Sequence, residues 1–168
     1  TSFAMAIFPT LAESYAKSES GKFSYYFTKT LRSILFFMVP MVLGVILLRA
    51  QIVRLILGSG HFGWQQTIDT ADTLGYFAVA LVFTSTIPLF ARAFYAIHNT
   101  KIPMIATLLT VILSIIAGKM LSVTMGVTGL ALAYSIGSVF NALILYFVLR
   151  TKFHFDEKGI LWFLVKII

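Results

Sequence analysis

Long apolar runs alternate with short clusters of charge along this chain, and the spacing of the charges predicts its elements. Uncharged stretches run over 33–48, 73–91, 102–118 and 120–149, which are 16, 19, 17 and 30 residues long. A helix rises about 1.5 Å per residue, so crossing a bilayer takes roughly 20 mostly apolar residues. Four spanning helices are therefore predicted. A fifth apolar run covers 1–12, and a sixth, 159–168, is only about 15 Å long at helical rise, short of a crossing. Alternating strands of an outer-membrane barrel are about 10 residues long, well below these runs. The pattern predicts an all-α, polytopic transmembrane helix bundle of about four complete spanning helices plus two truncated ones. It forms a single transmembrane region over 1–168. Thr1 opens the chain without an initiator Met, a charged n-region or a cleavage site, so both ends read as cut and the chain as a fragment.

Composition agrees with a membrane solvent. The chain is 59% hydrophobic and 11% charged, whereas soluble domains are about a quarter charged. It has no cysteine, and His61, His98 and His154 stand apart without ligand spacing, so neither a metal nor a cofactor is expected. The net charge of +7 raises nucleic acid as a partner. The basic residues flank apolar helices rather than forming a soluble basic face, however, and membrane topology accounts for them.

Their distribution also predicts an orientation. Lys17, Lys22, Lys29, Arg32, Arg92, Lys101, Arg150, Lys152 and Lys158 fall on alternate links, opposite Arg49, Arg54 and Lys119. The positive-inside rule places the first set in the cytoplasm and turns the 58–66 loop outward.

Near the helix ends, Glu13 and Lys17 form a favourable i,i+4 pair. Asp69 and Asp72 fall where a helix N-terminus would welcome negative charge and a capping side chain, with cation binding by the pair as the alternative. Arg49 and Arg54 interrupt an apolar stretch that prolongs its helix along the interface until Gly58 and Gly60 break it. Pro9, Pro40 and Pro88 fall inside apolar helices and free the carbonyls of Met5, Phe36 and Thr84. Thr84, Ser85 and Thr86 are placed to repair the last of these. The kinks read either as hinges of a moving transporter or as static bends.

Two polar positions stand out as candidate substrate contacts. Gly129, Ala133 and Gly137 form a small-xxx-small row, and Tyr134, Ser138 and Asn141 follow an adjoining helical face. Asn141 is costly if it faces lipid, so it either bonds another helix or lines a polar cavity. Arg32 shares a helical sector with Lys22 and Lys29. Its planar fork suits phosphate or pyrophosphate oxygens, and snorkelling toward the interface is the plainer reading. The chain shows no nucleophile elbow, P-loop or HExxH, and no acidic residue falls within an uncharged spanning core, so an enzyme is not expected.

The segments AIFPTLAESYA, TLRSILFFMVP, VRLILGSGHF, TADTLGYFAVAL and ARAFYAIHNTKIP follow one another in a distinctive order that continues to VFNALILYFVLR. In that order and spacing the chain resembles the second half of the MurJ (MviN) family of lipid II flippases. That family belongs to the wider group of multidrug, oligosaccharidyl-lipid and polysaccharide exporters. Pro9, Arg32, Pro40, Gly58, Gly60, Phe62, Tyr76, Phe94, Tyr95, Thr100, Lys101, Pro103 and Asn141 carry the likeness.

The resemblance implies two helical lobes around a central cavity, followed by two helices that form a groove for a lipid tail. The chain would begin within the family's eighth transmembrane helix and end at the start of its thirteenth. Its partners would then be the missing N-terminal lobe of the same chain, membrane lipids and an undecaprenyl-pyrophosphate-linked substrate. The location implied is the bacterial cytoplasmic (inner) membrane, and the activity is lipid II translocation to the outer leaflet by alternating access for peptidoglycan biosynthesis. An exporter of another polyprenyl-linked polysaccharide or of a drug, or a non-transporting membrane scaffold, is the alternative.

Overall fold

A computed structural model describes residues 2–57 and 63–153. They form five helices in the order α1 (Ser2–Ala16), α2 (Ser20–Leu57), α3 (Trp64–Ala96), α4 (Lys101–Met125) and α5 (Val127–Lys152). The last four are long and apolar enough to cross a membrane. Gly58, Gly60, Phe62, His61, His154, Lys158 and the short apolar run 159–168 lie outside the described residues.

The helices outrun the uncharged stretches. The basic link expected after α1 is mostly helix, because α2 starts at Ser20 and carries Lys22, Lys29 and Arg32 within its 38 residues. Charge-free length marks the hydrocarbon, whereas long basic side chains reach the interface without ending the helix. At its other end α2 continues past Arg49 and Arg54 to Leu57 as expected, and the Arg54 guanidinium lies 4.8 Å from the centre of the Trp64 ring on α3.

The aspartates are not caps, contrary to expectation. Helix α3 begins at Trp64, which puts Asp69 and Asp72 in its second and third turns. Gln66 does the capping, its Oε1 accepting the Gly63 N–H at 2.8 Å. Asp69 accepts a bond from Gln65 at 3.2 Å, and Asp72 sits 3.2 Å from Arg49 of α2. The Arg49 side chain lies against Gly75, where a Cβ would stand 2.8 Å from its Nη1 and make the guanidinium shift.

Pro9, Pro40 and Pro88 lie inside α1, α2 and α3. The repair expected around Pro88 takes another form. Thr84, Ser85 and Thr86 donate to carbonyls of the preceding turn, at Ala80, Leu81, Val82 and Phe83, rather than to the carbonyl of Thr84 that the proline frees. Hydroxyls bonded backward in this way favour a bend in a helix.

Helix α3 is the hub, packing on α1, α2 and α5, while α4 leans almost wholly on α5. The two ends of the bundle pack differently. At the basic end, large side chains fill the core: Leu11, Phe23, Phe27, Leu89, Phe94, Leu145 and Leu149 are fully buried. Phe23 stacks on Phe153 at 4.4 Å, and Phe27 packs on Phe90 at 5.4 Å. Toward the opposite end the contacts pass to Ala71, Gly75 and Ala78 of α3 and Ala131, Ala133 and Ser135 of α5. There the Ser135 hydroxyl bridges to the Tyr76 carbonyl at 2.6 Å.

The predicted small row seats α4. A Cβ on Gly129 would strike the Leu121 backbone carbonyl, one on Gly137 would strike the Ser114 hydroxyl, and Gly118 faces the Ala133 methyl at 3.8 Å. The facing row on α4 is Ala106, Thr110, Ser114, Gly118 and Ser122, each four residues from the next. Lipid tails are as apolar as Leu, so close contact between small residues is what holds such helices together.

At the basic end, α1 and α3 close with the same turn. Ser18 and His98 both take φ 56. In each, the next amide bonds back five residues, Glu19 to Ser14 at 3.0 Å and Asn99 to Phe94 at 2.9 Å. This Schellman geometry favours glycine, and a side chain in the left-handed region costs about 1–2 kcal/mol.

Stability measurements on three variants of the membrane protein in detergent test this packing. Gly129→Val is expected to lower the melting temperature, with an overpacking cost of about 1–3 kcal/mol. Gly21→Ala, at a position with open space around it, is expected not to lower it. Ser18→Gly is expected to raise stability by about 1 kcal/mol, since the exposed serine holds a left-handed turn; an unchanged melting curve would count against that strain.

Candidate functional site

Arg32 and Asn141 do not meet. Arg32 is on α2 and Asn141 on α5, and these helices make no close backbone approach because α3 stands between them. The two residues are therefore separate features of one bundle.

Arg32 sits three turns into α2, half-buried, with its Nε shielded from solvent. The basic sector expected around it is already partly engaged. Lys22 pairs with Glu19 at 2.9 Å, and the Lys29 ammonium lies 6.0 Å from the centre of the Tyr25 ring. One turn before Arg32 on the same face is Thr28, a residue missed from the sequence, whose buried hydroxyl makes no hydrogen bond among the described residues. Its place four residues before Arg32 was the available signal. Together they put a hydroxyl and a guanidinium edge within the apolar half of the bundle near the basic end.

Asn141 is 6% exposed, and its Oδ1 accepts no hydrogen bond from the described residues. It stands one turn beyond Gly137 on the row that carries Gly129 and Ala133, so it lies deep where α5 meets its neighbours. An unpaired buried amide oxygen costs about 1–3 kcal/mol, which distinguishes this side chain from ordinary interhelical glue. Tyr134 and Ser138, expected beside it, line an open groove between α4 and α5 instead, and the Ser138 hydroxyl bonds the Tyr134 carbonyl at 2.9 Å.

The segment ARAFYAIHNTKIP is a turn rather than a polar pocket. Phe94 is fully buried in the core, while its carbonyl and that of Tyr95 receive the amides that close α3. Thr100 is the N-cap of α4 but makes no side-chain cap. That bond comes from Asn99, whose Oδ1 accepts the Ile102 N–H at 3.3 Å. Lys101 is exposed, and Pro103 falls in the first turn, where its missing N–H has no helical partner to lose. Arg92 reaches back over Phe8 of α1, its guanidinium 5.8 Å from the ring centre.

The family description "Lipid II flippase MurJ" matches residues 1–168, the whole chain. The chain belongs to the MurJ family. The lipid II flippase MurJ of Thermosipho africanus is 30% identical over 149 residues, which are 89% of this chain and 31% of that protein. The probable lipid II flippase MurJ of Thermotoga maritima is 32% identical over 149 residues, again 89% of this chain and 31% of that one. A solved structure titled lipid II flippase MurJ, inward closed conformation, superposes with a TM-score of 0.80 at 27% identity, covering 98% of this chain and 35% of its own. The chain thus spans about a third of the length of these MurJ relatives. As a MurJ-family member with four apolar crossing helices it is a multi-pass membrane protein.

Asn141→Ala tests what the buried amide is for. Its Oδ1 has no bond to lose, so the melting temperature of the detergent-solubilised protein is expected to shift by less than about 1 kcal/mol of stability. A loss several times larger would make Asn141 a packing element.

Proposed function

We propose that the full-length protein moves lipid II, an undecaprenyl-pyrophosphate-linked disaccharide-peptide, from the cytoplasmic to the outer leaflet of the bacterial inner membrane. The observation that carries this reading is the MurJ-family match along the entire chain together with the 0.80 superposition on a lipid II flippase. Residues 1–168 form one transmembrane region, most of the second lobe of a two-lobed transporter. The lobe that precedes it is this chain's first partner.

A pyrophosphate head group cannot cross hydrocarbon unaided, because each charge exposed there costs several kcal/mol. A transporter lowers that cost with a polar cavity opened alternately to each side. In this segment Arg32 supplies a bidentate donor for phosphate oxygens near the basic end, and Asn141 offers a buried carbonyl to the donors of the sugar-peptide. Pro9, Pro40 and Pro88, each inside a helix, are where the helices flex between the two states. The basic end faces the cytoplasm, supported by the excess of Lys and Arg there. No covalent step is involved, so the protein is a transporter and not an enzyme. Membrane potential is a fitting drive, since each charge carried through the field gains about 2.3 kcal/mol per 100 mV.

Depleting the resident flippase of a bacterial host while expressing the full-length protein tests this directly. Lipid II is expected to reappear in the outer leaflet and growth to be restored. Failure with correct insertion and normal abundance would reject the assignment. In the same assay Arg32→Ala is expected to cut flipping at normal protein levels; unchanged flipping would remove Arg32 from the substrate path.

A further inference from the structure

Lys119 is the only charged residue between Lys101 and Arg150. It lies six residues before the end of α4 at Met125, about 9 Å inside that end at helical rise. It is exposed, and among the described residues it forms no ion pair. An ammonium at that depth calls for an anion or a path to the interface.

The surroundings of Lys119 say what kind of anion. It lines an open groove of about 560 Å³ between α4 and α5, running from Thr110 to Ser122 along α4 with Leu130 and Tyr134 on the α5 wall. Gly118 on its α4 wall adds no side chain to fill it. Three of the groove's hydroxyls bond within their own helices, Thr110 to Ala106 at 2.8 Å, Ser122 to Lys119 at 3.3 Å and Ser138 to Tyr134 at 2.9 Å, while those of Ser114 and Tyr134 also line it. The exposed lining is mostly apolar, with one positive charge near its far end.

Length separates a lipid from a helix. Twelve residues of α4 span about 18 Å, close to the roughly 15 Å of one leaflet and well short of the 30 Å a transmembrane helix would follow. We propose that this groove binds an anionic glycerophospholipid of the leaflet opposite the basic end, its phosphate on Lys119 and one acyl chain along the trough. A zwitterionic lipid carries its own cation beside the phosphate and gains less from Lys119. The inference does not rest on the transport reading, because neither Arg32 nor Asn141 lines this groove.

The test is native mass spectrometry of the full-length protein with phosphatidylglycerol or phosphatidylcholine. The protein is expected to retain phosphatidylglycerol preferentially, and Lys119→Gln to weaken that retention about fivefold, the effect of one basic residue at a membrane surface. Lys119→Arg keeps the charge and is expected to keep the lipid. Leu130→Trp fills the trough without touching the charge and is expected to lose it.

Three results would overturn the proposal. Retention unchanged in Lys119→Gln removes the phosphate contact. Displacement of phosphatidylglycerol by a polyprenyl pyrophosphate assigns the groove to that lipid. A photo-crosslinker at position 119 that captures another helix of the same protein shows the groove filled by protein.

Discussion

The bundle depends on how closely α5 approaches its two neighbours. In hydrocarbon no solvent drives apolar surfaces together, so helices that must stay associated do so by contact and by a few hydrogen bonds. Helix α5 meets α4 through glycine and alanine, and meets α3 through small residues joined by the Ser135 bond to Tyr76. Helix α3 then carries α1 and α2 on its other side. The arrangement divides the molecule into an aromatic core at the basic end, where ring packing fixes the turns, and a narrow small-residue seam toward the other end. A bulky residue in the seam would act on the whole bundle, while the same change on the exposed face of α4 would meet no side chain of the described helices.

This division explains why the polar side chains are where they are. Arg49 and Asp72 pair across α2 and α3 near the end opposite the basic face, where Gly75 leaves room for the guanidinium to lie on α3. Arg32 and Thr28 lie inside the basic half, flanked by the large core. Asn141 stands where the small row gives way to Leu145 and Leu149, the boundary between the two packing regimes. A buried amide at such a boundary is neither part of the seam nor part of the ring cluster, which is why it lacks a partner in the bundle itself.

Much of the fold was legible because hydrocarbon imposes a length rule on sequence. Gaps between charges located all four crossing helices, and the row of Gly129, Ala133 and Gly137 named the α5 face that meets α4. The ends were misjudged for the same reason: Lys22 and Lys29 break an apolar run without breaking a helix. Asp69 and Asp72 looked like caps because acidic residues favour that position, yet Gln66 lay closer to the true start and took the role. The row on α4 escaped notice because Thr110 and Ser114 count as polar in a sequence although they behave as small surfaces in a packed pair. The depth of Asn141 was readable from its expense in lipid. Its separation from Arg32 was not, since helical periodicity fixes faces within a helix and says nothing about which helix comes between two others.

The junction of α4 and α5 is a single residue, Gly126, with φ 59 in the region that side chains avoid. Two helices joined so tightly have no slack to settle separately, and α4 has almost no other neighbour in the bundle. Within the described bundle α4 therefore takes its packing place only through α5, and the two helices behave as one hairpin that moves against α3 as a unit.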